Sequence, residues 1–198
     1  DFAYEQDYLR TLDPSTGKPE VDKLFPLFQQ TSQPVALTPG IPGSTTFPWV
    51  ERGPNNVGGR TRALMWDPNA ASGNKVWAGG VTGGLWYNND ITSATSQWQA
   101  VNDFWDNIAV TCIAYDPNNT QIMYVGTGES FTGASRGAGI WKTTNGGTSW
   151  IQLASTSNFY YVNDIVVRDE SGSSVVYAAV DGRFYNGTFH GSAQAGLQ

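Results

Sequence analysis

The sequence has a single cysteine, few charged residues and no long hydrophobic run. One cysteine excludes an internal disulfide framework and the common zinc-binding spacings. Cys112 lies in the alternating apolar run Val110–Ala114, which indicates a small buried hydrophobic residue rather than a reactive thiol. Because no stretch approaches about 18 apolar residues, the sequence predicts no segment that inserts into a membrane.

Charged residues make up 14% of the chain, about the same share as the aromatic residues at 13%. The net charge is −6, and the eleven basic residues are spread singly, which excludes the basic patch of a nucleic-acid-binding protein. The aromatic content is too high for a disordered chain. Polar runs such as Asn88–Asp90 lack the spacing of a calcium loop, so we predict no metal and no cofactor.

A pattern that repeats at about 50 residues organises most of the chain. Trp66–Asn69 reads WDPN, Tyr115–Asn118 reads YDPN, and a degraded third copy follows. Alternating apolar runs predict the first strand of each repeat at Thr61–Trp66, Ile108–Tyr115 and Val162–Val167. A second strand follows each turn and carries an aromatic residue at an equivalent place: Trp77, Tyr124 and Tyr177.

Two further strands complete a repeat. They are predicted at Gly84–Tyr87 and Ser96–Val101, and again at Gly139–Thr143 and Thr148–Leu153, and Gly196-Leu197 begins the same pattern a third time. Four antiparallel strands in about 50 residues predict an all-β chain built from β-propeller blades. A β-sandwich is the rival fold, but a sandwich has no reason to restate Trp and Gly at this period.

We place the blades at about 58–102, 107–153 and 159–198, the last of them truncated. Residues 1–48 are predicted to be an irregular leader with a short helix around Val21–Gln29 and a Pro/Gly/Ser/Thr-rich linker, and residues 49–198 the propeller. A closed ring takes at least about four blades, so this ring is incomplete. We therefore expect the N-terminal piece of a larger protein that supplies the remaining blades, a sample trapped during export, or a partly ordered chain, and the abrupt end at Gln198 favours truncation. A signal peptide has either been removed already or was never present.

The segment Thr143–Trp150 resembles the Asp-box, S-x-D-x-G-x-x-W, of the BNR repeats of sialidases, sortilin-like domains and xyloglucanase-type propellers. Its motif positions are held by Thr143, Asn145, Gly147 and Trp150, with Asn in the Asp place. The resemblance implies a structural role, in which the polar side chains bond the turn backbone and Trp anchors the turn. Asn88–Trp98 keeps the Trp but lacks the Gly.

A longer resemblance covers nearly the whole chain. Trp49–Asn69 and Ala78–Asp90 are similar to the opening of the Asp-box propeller proteins that Bacteroidota secrete through the type IX system, and Tyr8–Phe25 is similar to their polar leader. The resemblance implies a secreted or cell-surface protein that is exported as cargo and meets components of the secretion translocon.

The middle loops of the repeats are predicted to gather at one end of the blades, and they are long at Glu129–Ala138 and Asp181–Ala195. Loops on a rigid scaffold commonly carry binding sites. Aromatic rings stack on sugars and Arg grips carboxylates, so this set suits a glycan or a surface protein, although the residues could also merely pack and solvate the loops. The candidate ligand-binding residues are Trp105, Glu129, Phe131, Arg136, Asp181, Arg183, Tyr185 and His190.

The sequence contains weaker signals for enzymatic activity than for ligand binding. Glycoside hydrolysis needs two carboxylates, and Glu129 with Asp181 is the loop pair at equivalent positions of adjacent blades. In xyloglucanase-type propellers, which the chain resembles, a catalytic Asp precedes a V-G-G-like step, and Val81 stands in that place here. The F/Y-R-I-P motif of sialidases and a nucleophile elbow for His190 are both missing. We predict that Arg60 bonds the carbonyls of a neighbouring blade.

The sequence therefore favours a non-catalytic propeller module of a secreted bacterial protein, which binds a glycan or a protein. The alternative is a glycoside hydrolase of the Asp-box propeller type, with Glu129 and Asp181, or residues outside this chain, as its catalytic groups.

Overall fold

The computed structural model describes residues 2–19, 60–101, 109–131, 135–185 and 188–197, with the backbone alone at some positions, among them 183–185 and 188–197. The chain divides into two units, Asp1–Glu51 and Arg52–Gln198. The predicted helix around Val21–Gln29 and the predicted linker that follows it lie outside the described residues.

The described part of the first unit is a helix followed by a two-stranded ribbon. Helix α1 spans Phe2–Thr11, and strand β1 (Leu12–Asp13) pairs antiparallel with β2 (Lys18–Pro19). Asp13 Oδ1 closes the intervening turn by accepting hydrogen bonds from Ser15 N at 2.8 Å and from Ser15 Oγ at 2.6 Å. The sequence analysis did not predict α1 in this leader.

Three antiparallel sheets follow one another in the second unit, and each is a meander in which every strand pairs with the next. The first contains β3 (Thr61–Trp66), β4 (Val76–Gly80), β5 (Gly84–Asn88) and β6 (Gln99–Ala100). The second contains β7 (Val110–Tyr115), β8 (Met123–Thr127), β9 (Ile140–Thr143) and β10 (Ile151–Gln152), and a short 3₁₀ turn, Ala154–Thr156, follows it. The third contains β11 (Tyr161–Glu170), β12 (Ser173–Tyr185) and β13 (Thr188–Leu197). The predicted all-β fold of four-stranded blades is confirmed.

The first strands of the three blades pack side by side, with β7 in contact with both β3 and β11. Each of them has a register shift near its start, between Thr61 and Ala63, between Val110 and Cys112, and between Val162 and Asp164. Such a β-bulge adds one residue to a strand and re-aims its side chains. The residues at the three shifts are Arg62, Thr111 and Asn163.

Glycines that recur in the second strands make room for the next blade. A Cβ on Gly79 would lie 2.4 Å from Cγ1 of Val110, and a Cβ on Gly126 would lie 2.7 Å from Cγ1 of Val162. Real Cβ atoms do not approach other atoms this closely, so both positions need a residue without a side chain. The repeated Gly in VWAGG and MYVGTG is thus explained by contact between blades.

Two apolar clusters fill the spaces between successive blades. The cluster between the first and second blades contains Trp77, Leu85, Val110, Met123 and Val125. The cluster between the second and third contains Cys112, Tyr124, Ile140, Val162, Ile165, Ala178 and Val180. Trp77 is 2% exposed and Met123 is fully buried, so hydrophobic burial between the blades is the main force that holds them together.

The segment Thr143–Trp150 is a compact turn held by its own side chains. Thr143 Oγ1 accepts the backbone N–H of Gly147 at 3.0 Å and donates to Asn145 Oδ1 at 2.9 Å. Trp150 Nε1 donates to the Gly147 carbonyl at 3.1 Å. Gly147 has a φ of +87°, a conformation that residues with a Cβ rarely adopt. The turn is therefore stabilised by the residue types that the sequence motif contains.

The fourth strands, β6 and β10, have only two residues each, shorter than the predicted Ser96–Val101 and Thr148–Leu153. In the first blade Ser96 Oγ donates to Asn88 Oδ1 at 2.6 Å, and in the second the Thr143–Trp150 turn occupies the beginning of the predicted strand. Short polar side chains offer such bonds as an alternative to a strand ladder. The predicted boundaries were therefore too wide.

The prediction of a long loop at Asp181–Ala195 is wrong, because β12 and β13 continue through it as a hairpin. Tyr185 pairs with Thr188, so an Asn-Gly dipeptide lies between paired residues. Asn-Gly between strands is the strongest local signal for a hairpin, and the sequence analysis did not use it. Val180 pairs with Gly196 as Gly80 pairs with Gly84 in the first blade, but the strand that contains Gly196 already begins at Thr188.

One end of the sheets, which we call the turn face, carries the Asp-Pro-Asn turns and the Thr143–Trp150 turn. Gln121 Nε2 donates to Asn69 Oδ1 of the first blade at 2.8 Å, and the Gln121 carbonyl accepts the N–H of Gly146 at 3.0 Å. Ser174 Oγ of the third blade donates to Asp116 Oδ1 at 2.7 Å. The predicted placement of these turns at one end is confirmed, and hydrogen bonds there join all three blades.

Asp67 connects the turn face to the apolar cluster below it. Its carboxylate accepts a hydrogen bond from Trp77 Nε1 at 2.9 Å and lies 2.9 Å from Lys75 Nζ. Lys75 Nζ in turn lies 4.5 Å from the Trp77 ring centroid. Burial acts to raise the pKa of Asp67, but the hydrogen bonds from Lys75, the Asn69 backbone and Trp77 outweigh it and lower that pKa below its usual value.

Candidate ligand-binding site

The opposite end of the sheets, which we call the loop face, carries the beginnings of the first strands and the loops after β4 and β8. Val81 N donates to the Arg60 carbonyl at 3.0 Å, and Gly128 N donates to the Ala109 carbonyl at 2.9 Å. Each middle loop is therefore bonded to the start of the first strand of its own blade. This arrangement gives the loops of the loop face fixed positions on the sheets.

Glu129 lies directly after β8 and is fully buried. Gly128 before it has a φ of +99°, and a Cβ there would lie 2.0 Å from the Tyr160 carbonyl oxygen. Glu129 Oε1 accepts the backbone N–H of Phe131 at 2.7 Å, and Glu129 N donates to the Ser135 carbonyl at 2.9 Å. Because Gly128 has no side chain, the backbone passes close to Tyr160 there, and the Glu129 carboxylate is turned into the interior.

Two arginines of the first blade converge on this carboxylate. Arg60 Nη2 lies 3.8 Å and Arg62 Nε lies 3.9 Å from Glu129 Oε2. Their side chains are 49% and 30% exposed. The predicted bond of Arg60 to neighbouring carbonyls is not what the structure describes, since the Arg60 side chain lies against Glu129 of the next blade. A buried negative charge between two guanidinium groups holds both of them at the loop face.

Phe131 provides an exposed aromatic surface beside these arginines. The Arg62 guanidinium carbon lies 4.4 Å from the Phe131 ring centroid, within the range of a cation–π contact. Phe131 is nevertheless 58% exposed. The loop face therefore presents an aromatic ring and two cationic groups next to each other.

An open groove of about 520 Å³ runs along the first strands and adjoins this cluster through Arg62. Its lining comes from β3, β7 and β11 and includes Thr61, Arg62, Asn163 and Asp164. Ser130 Oγ donates to Asn163 Oδ1 at 3.0 Å, which joins the loop after β8 to the third blade. The volume lies within the usual range of small-molecule sites.

The other predicted residues occupy separate places. Arg136 lies in the same loop as Glu129, with its guanidinium carbon 4.0 Å from the Tyr160 ring centroid. Asp181 is a strand residue that pairs with Tyr161, and its Oδ1 accepts the N–H of Gly182 at 2.8 Å.

For four further candidates, Trp105, Arg183, Tyr185 and His190, the structure gives only the backbone or nothing. Arg183 pairs with His190 across the β12–β13 hairpin, and Tyr185 pairs with Thr188 near its end. Trp105 lies outside the described residues. The structure thus brings Glu129 and Phe131 together, and the roles of the remaining candidates stay predictions.

The sequence analysis missed Arg62, Ser130 and Asn163 as members of this site. Arg62 and Asn163 lie at equivalent bulges of two first strands, and a bulge leaves no mark in an alternating apolar pattern. The signal that was available is the charged residue at position 62, inside a run that otherwise alternates as a half-buried strand.

Cys112 lines the same groove but is not a reactive group. It is 6% exposed, and burial raises the pKa of its thiol to about 12. A thiol with such a pKa is not a nucleophile near neutral pH. Within the described ranges, no group of three or more His, Cys, Asp or Glu residues is placed to hold a metal ion.

Comparisons with known proteins give little beyond this geometry. No protein-family model matches the chain, and no curated protein matches it. Among solved structures, the chain is similar to an ancestral GH74 enzyme, with 21% sequence identity and a TM-score of 0.46. The match covers 61% of this chain and 16% of that enzyme, so the chain spans a small part of the structure it matches.

No helix in the described ranges combines the length and the apolar character that crossing a membrane requires.

Proposed function

We propose that this chain is a non-catalytic β-propeller module that binds a glycan or a surface protein through its loop face. The observation that carries the proposal is the cluster in which Arg60 and Arg62 flank the buried Glu129 while Phe131 stays 58% exposed. Exposed aromatic rings and Arg forks are the groups that recur in the recognition of sugars and carboxylates. Arg62 lies on β3, Arg60 directly precedes that strand, and Phe131 lies in the loop after β8.

The burial of Glu129 supports binding over hydrolysis. A glycosidase needs both carboxylates within reach of the scissile bond, and the Glu129 side chain is 0% exposed. Asp181 already accepts a hydrogen bond from the adjacent Gly182. Both observations support the binding proposal over hydrolysis by this pair.

The proposal extends to localisation. The similarity of Trp49–Asn69 and Ala78–Asp90 to secreted Bacteroidota propellers supports a secreted or cell-surface protein that is cargo of the type IX system. Such a protein meets translocon components during export. Surface labelling of the parent bacterium tests this, because the protein should be lost from the surface of a strain that lacks the translocon. Unchanged surface exposure in that strain would contradict the export proposal.

Binding is tested on the chain with a panel of immobilised polysaccharides and surface proteins. We expect at least one ligand whose binding is weakened about tenfold by Phe131→Ala, since loss of one stacked ring costs on the order of 1–3 kcal/mol. Ile151→Ala is the matched control, because Ile151 is 62% exposed but lies in β10 of the second blade, outside the cluster. A ligand that responds equally to both substitutions would place the site elsewhere.

Catalysis is tested separately by incubation of the chain with the same polysaccharides. We expect no release of reducing ends. Release that tracks the purified chain would overturn the non-catalytic part of the proposal.

A further inference from the structure

The loop-face cluster carries an excess of positive charge on a chain whose net charge is −6. Arg60 and Arg62 contribute two positive charges against the single charge of Glu129, and both arginines are partly exposed. Each guanidinium has five N–H donors, more than one buried carboxylate can accept at distances of 3.8 and 3.9 Å. Counted over the described part of the chain, the two guanidinium groups therefore have more donors than Glu129 uses, and a second, external carboxylate fits them.

Resting on the proposed function above, we propose that the ligand is an acidic polysaccharide whose sugar rings carry carboxylates, that is, a uronate polymer. The carboxylate binds to the forked guanidinium groups of Arg60 and Arg62, and the buried Glu129 keeps these two groups next to each other. The apolar face of the same or the next sugar ring stacks on exposed Phe131. Both contacts come from groups that the structure places side by side.

The residues that line the groove determine which end of it receives the carboxylate of the sugar. Arg62 and Asp164 both line it, on β3 and β11, with β7 between them. Asp164 is exposed and repels a carboxylate, so the bound carboxylate lies at the Arg62 end, and a ring near Asp164 presents its hydroxyl edge to it. Asp164 and Asn163 offer oxygen and nitrogen atoms that suit sugar hydroxyls.

A peptide with a free carboxylate has part of the same chemistry, but the structure favours the sugar. An extended peptide is usually bound by an open strand edge or by an apolar groove. Here the first strands are edge strands of their sheets, but β7 packs against both β3 and β11, and the groove is lined by the polar residues Thr61, Asn163 and Asp164. Peptide binding is an outcome that the test distinguishes.

The test measures the affinity of the chain for polygalacturonate and for the same polymer with its carboxylates methyl-esterified. We expect the esterified polymer to bind at least about tenfold more weakly, because charge-assisted hydrogen bonds are lost. Arg60→Gln should weaken polygalacturonate binding by a similar factor, while Arg60→Lys, which keeps the charge but not the fork, should have an intermediate effect. Thermal unfolding of each variant verifies that it is folded.

Arg168→Gln is the matched control, since Arg168 is an exposed arginine of β11 that pairs with Val175 away from the cluster. Equal binding of the two polymers would overturn the inference and leave glycan binding intact. Equal loss in Arg60→Gln and Arg168→Gln, or equal binding of dextran sulfate, would also overturn it in favour of non-specific charge attraction. Binding only to a carboxylate-bearing peptide would overturn it in favour of a protein ligand. No binding to any polysaccharide in the panel would remove the glycan form of the proposed function as well.

Discussion

At the turn face, polar groups are bonded to each other at hydrogen-bond distance. Asn69 accepts from Gln121 at 2.8 Å, and Asp67 accepts from Trp77 at 2.9 Å. At the loop face, Arg60 and Arg62 lie 3.8 and 3.9 Å from Glu129 and remain partly exposed. Among the described residues, the two ends of the same blades therefore differ in the distance at which their charged side chains meet their partners.

This difference indicates that the turn face stabilises the fold and that the loop face serves binding. Buried groups that satisfy one another at short range stabilise the fold, because breaking one bond leaves its partner unsatisfied. Charged groups held in place at longer range keep donors available for another molecule. We therefore expect substitutions at the turn face to change stability, and substitutions at the loop face to change binding with little change in stability.

The largest effect on stability is expected for Trp77→Ala. Trp77 is 2% exposed and also donates to Asp67, so its truncation should lower the free energy of unfolding by about 3–5 kcal/mol. Trp66→Ala is the matched control, since Trp66 is 61% exposed and its loss should cost less than about 0.5 kcal/mol. Urea titration of both variants measures the difference, and similar midpoints would contradict the packing described here.

A smaller loss is expected for Gly147→Ala. Gly147 has a φ of +87°, and a Cβ there would lie 2.4 Å from the Trp77 ring. Conformational strain of about 1–2 kcal/mol and overpacking of about 1–3 kcal/mol should add. Gly73→Ala isolates the strain, since Gly73 has a φ of +68° with nothing within 4 Å. If Gly73→Ala cost as much as Gly147→Ala in the same titration, the turn would not be packed on Trp77.

Next in size is Asn69→Ala, which removes hydrogen bonds between the first two blades. Asn69 donates to the Thr120 carbonyl at 2.8 Å and accepts from Thr120 Oγ1 at 2.7 Å and from Gln121. Each of these three bonds contributes about 0.5–1.5 kcal/mol, toward the lower end because Asn69 is only half-buried, so the loss should be about 2 kcal/mol. Asn89→Ala is the control, because Asn89 is exposed in a neighbouring turn of the same face. Equal stability of the two variants would show that the contacts between blades contribute nothing.

The smallest expected effect is the pH dependence that Asp67 confers. Its pKa in the folded chain lies below the usual value, which is about 3.9 in an unfolded chain. Its contribution is therefore fully present above the unfolded pKa and is lost as the pH falls through the folded pKa. Thermal unfolding of the wild type and Asp67→Asn should differ most at neutral pH and converge below about pH 4. A constant difference down to pH 3 would rule out this linkage.

The sequence predicted those parts of the fold that depend on local pattern. Alternation and the Asp-Pro-Asn turns placed β3 at its observed residues, and the restated Gly-Leu step identified the residues that pair with the second strand of the third blade as they do in the first. The fourth strands and the β12–β13 hairpin were predicted less well, because competing side-chain bonds and an overlooked Asn-Gly decided them.

The candidate site was predictable only in part. Glu129 and Phe131 were identified because they follow a predicted strand in a long loop. Arg62 and Asn163 were not, since their positions depend on bulges that re-aim two first strands toward the same end. The burial of Glu129 was also beyond local pattern, because it results from an arginine pair in one blade and a loop in the next.

By itself, then, the sequence determined the repeat, the β character and the end of the blades at which the loops lie. These depend on periodicity and turn chemistry, which act over a few neighbouring residues. Only the tertiary structure decided which charges meet and which ring stays exposed. Those contacts join Arg60 and Arg62 of the first blade to Glu129 of the second. They exist only when the two blades pack against each other.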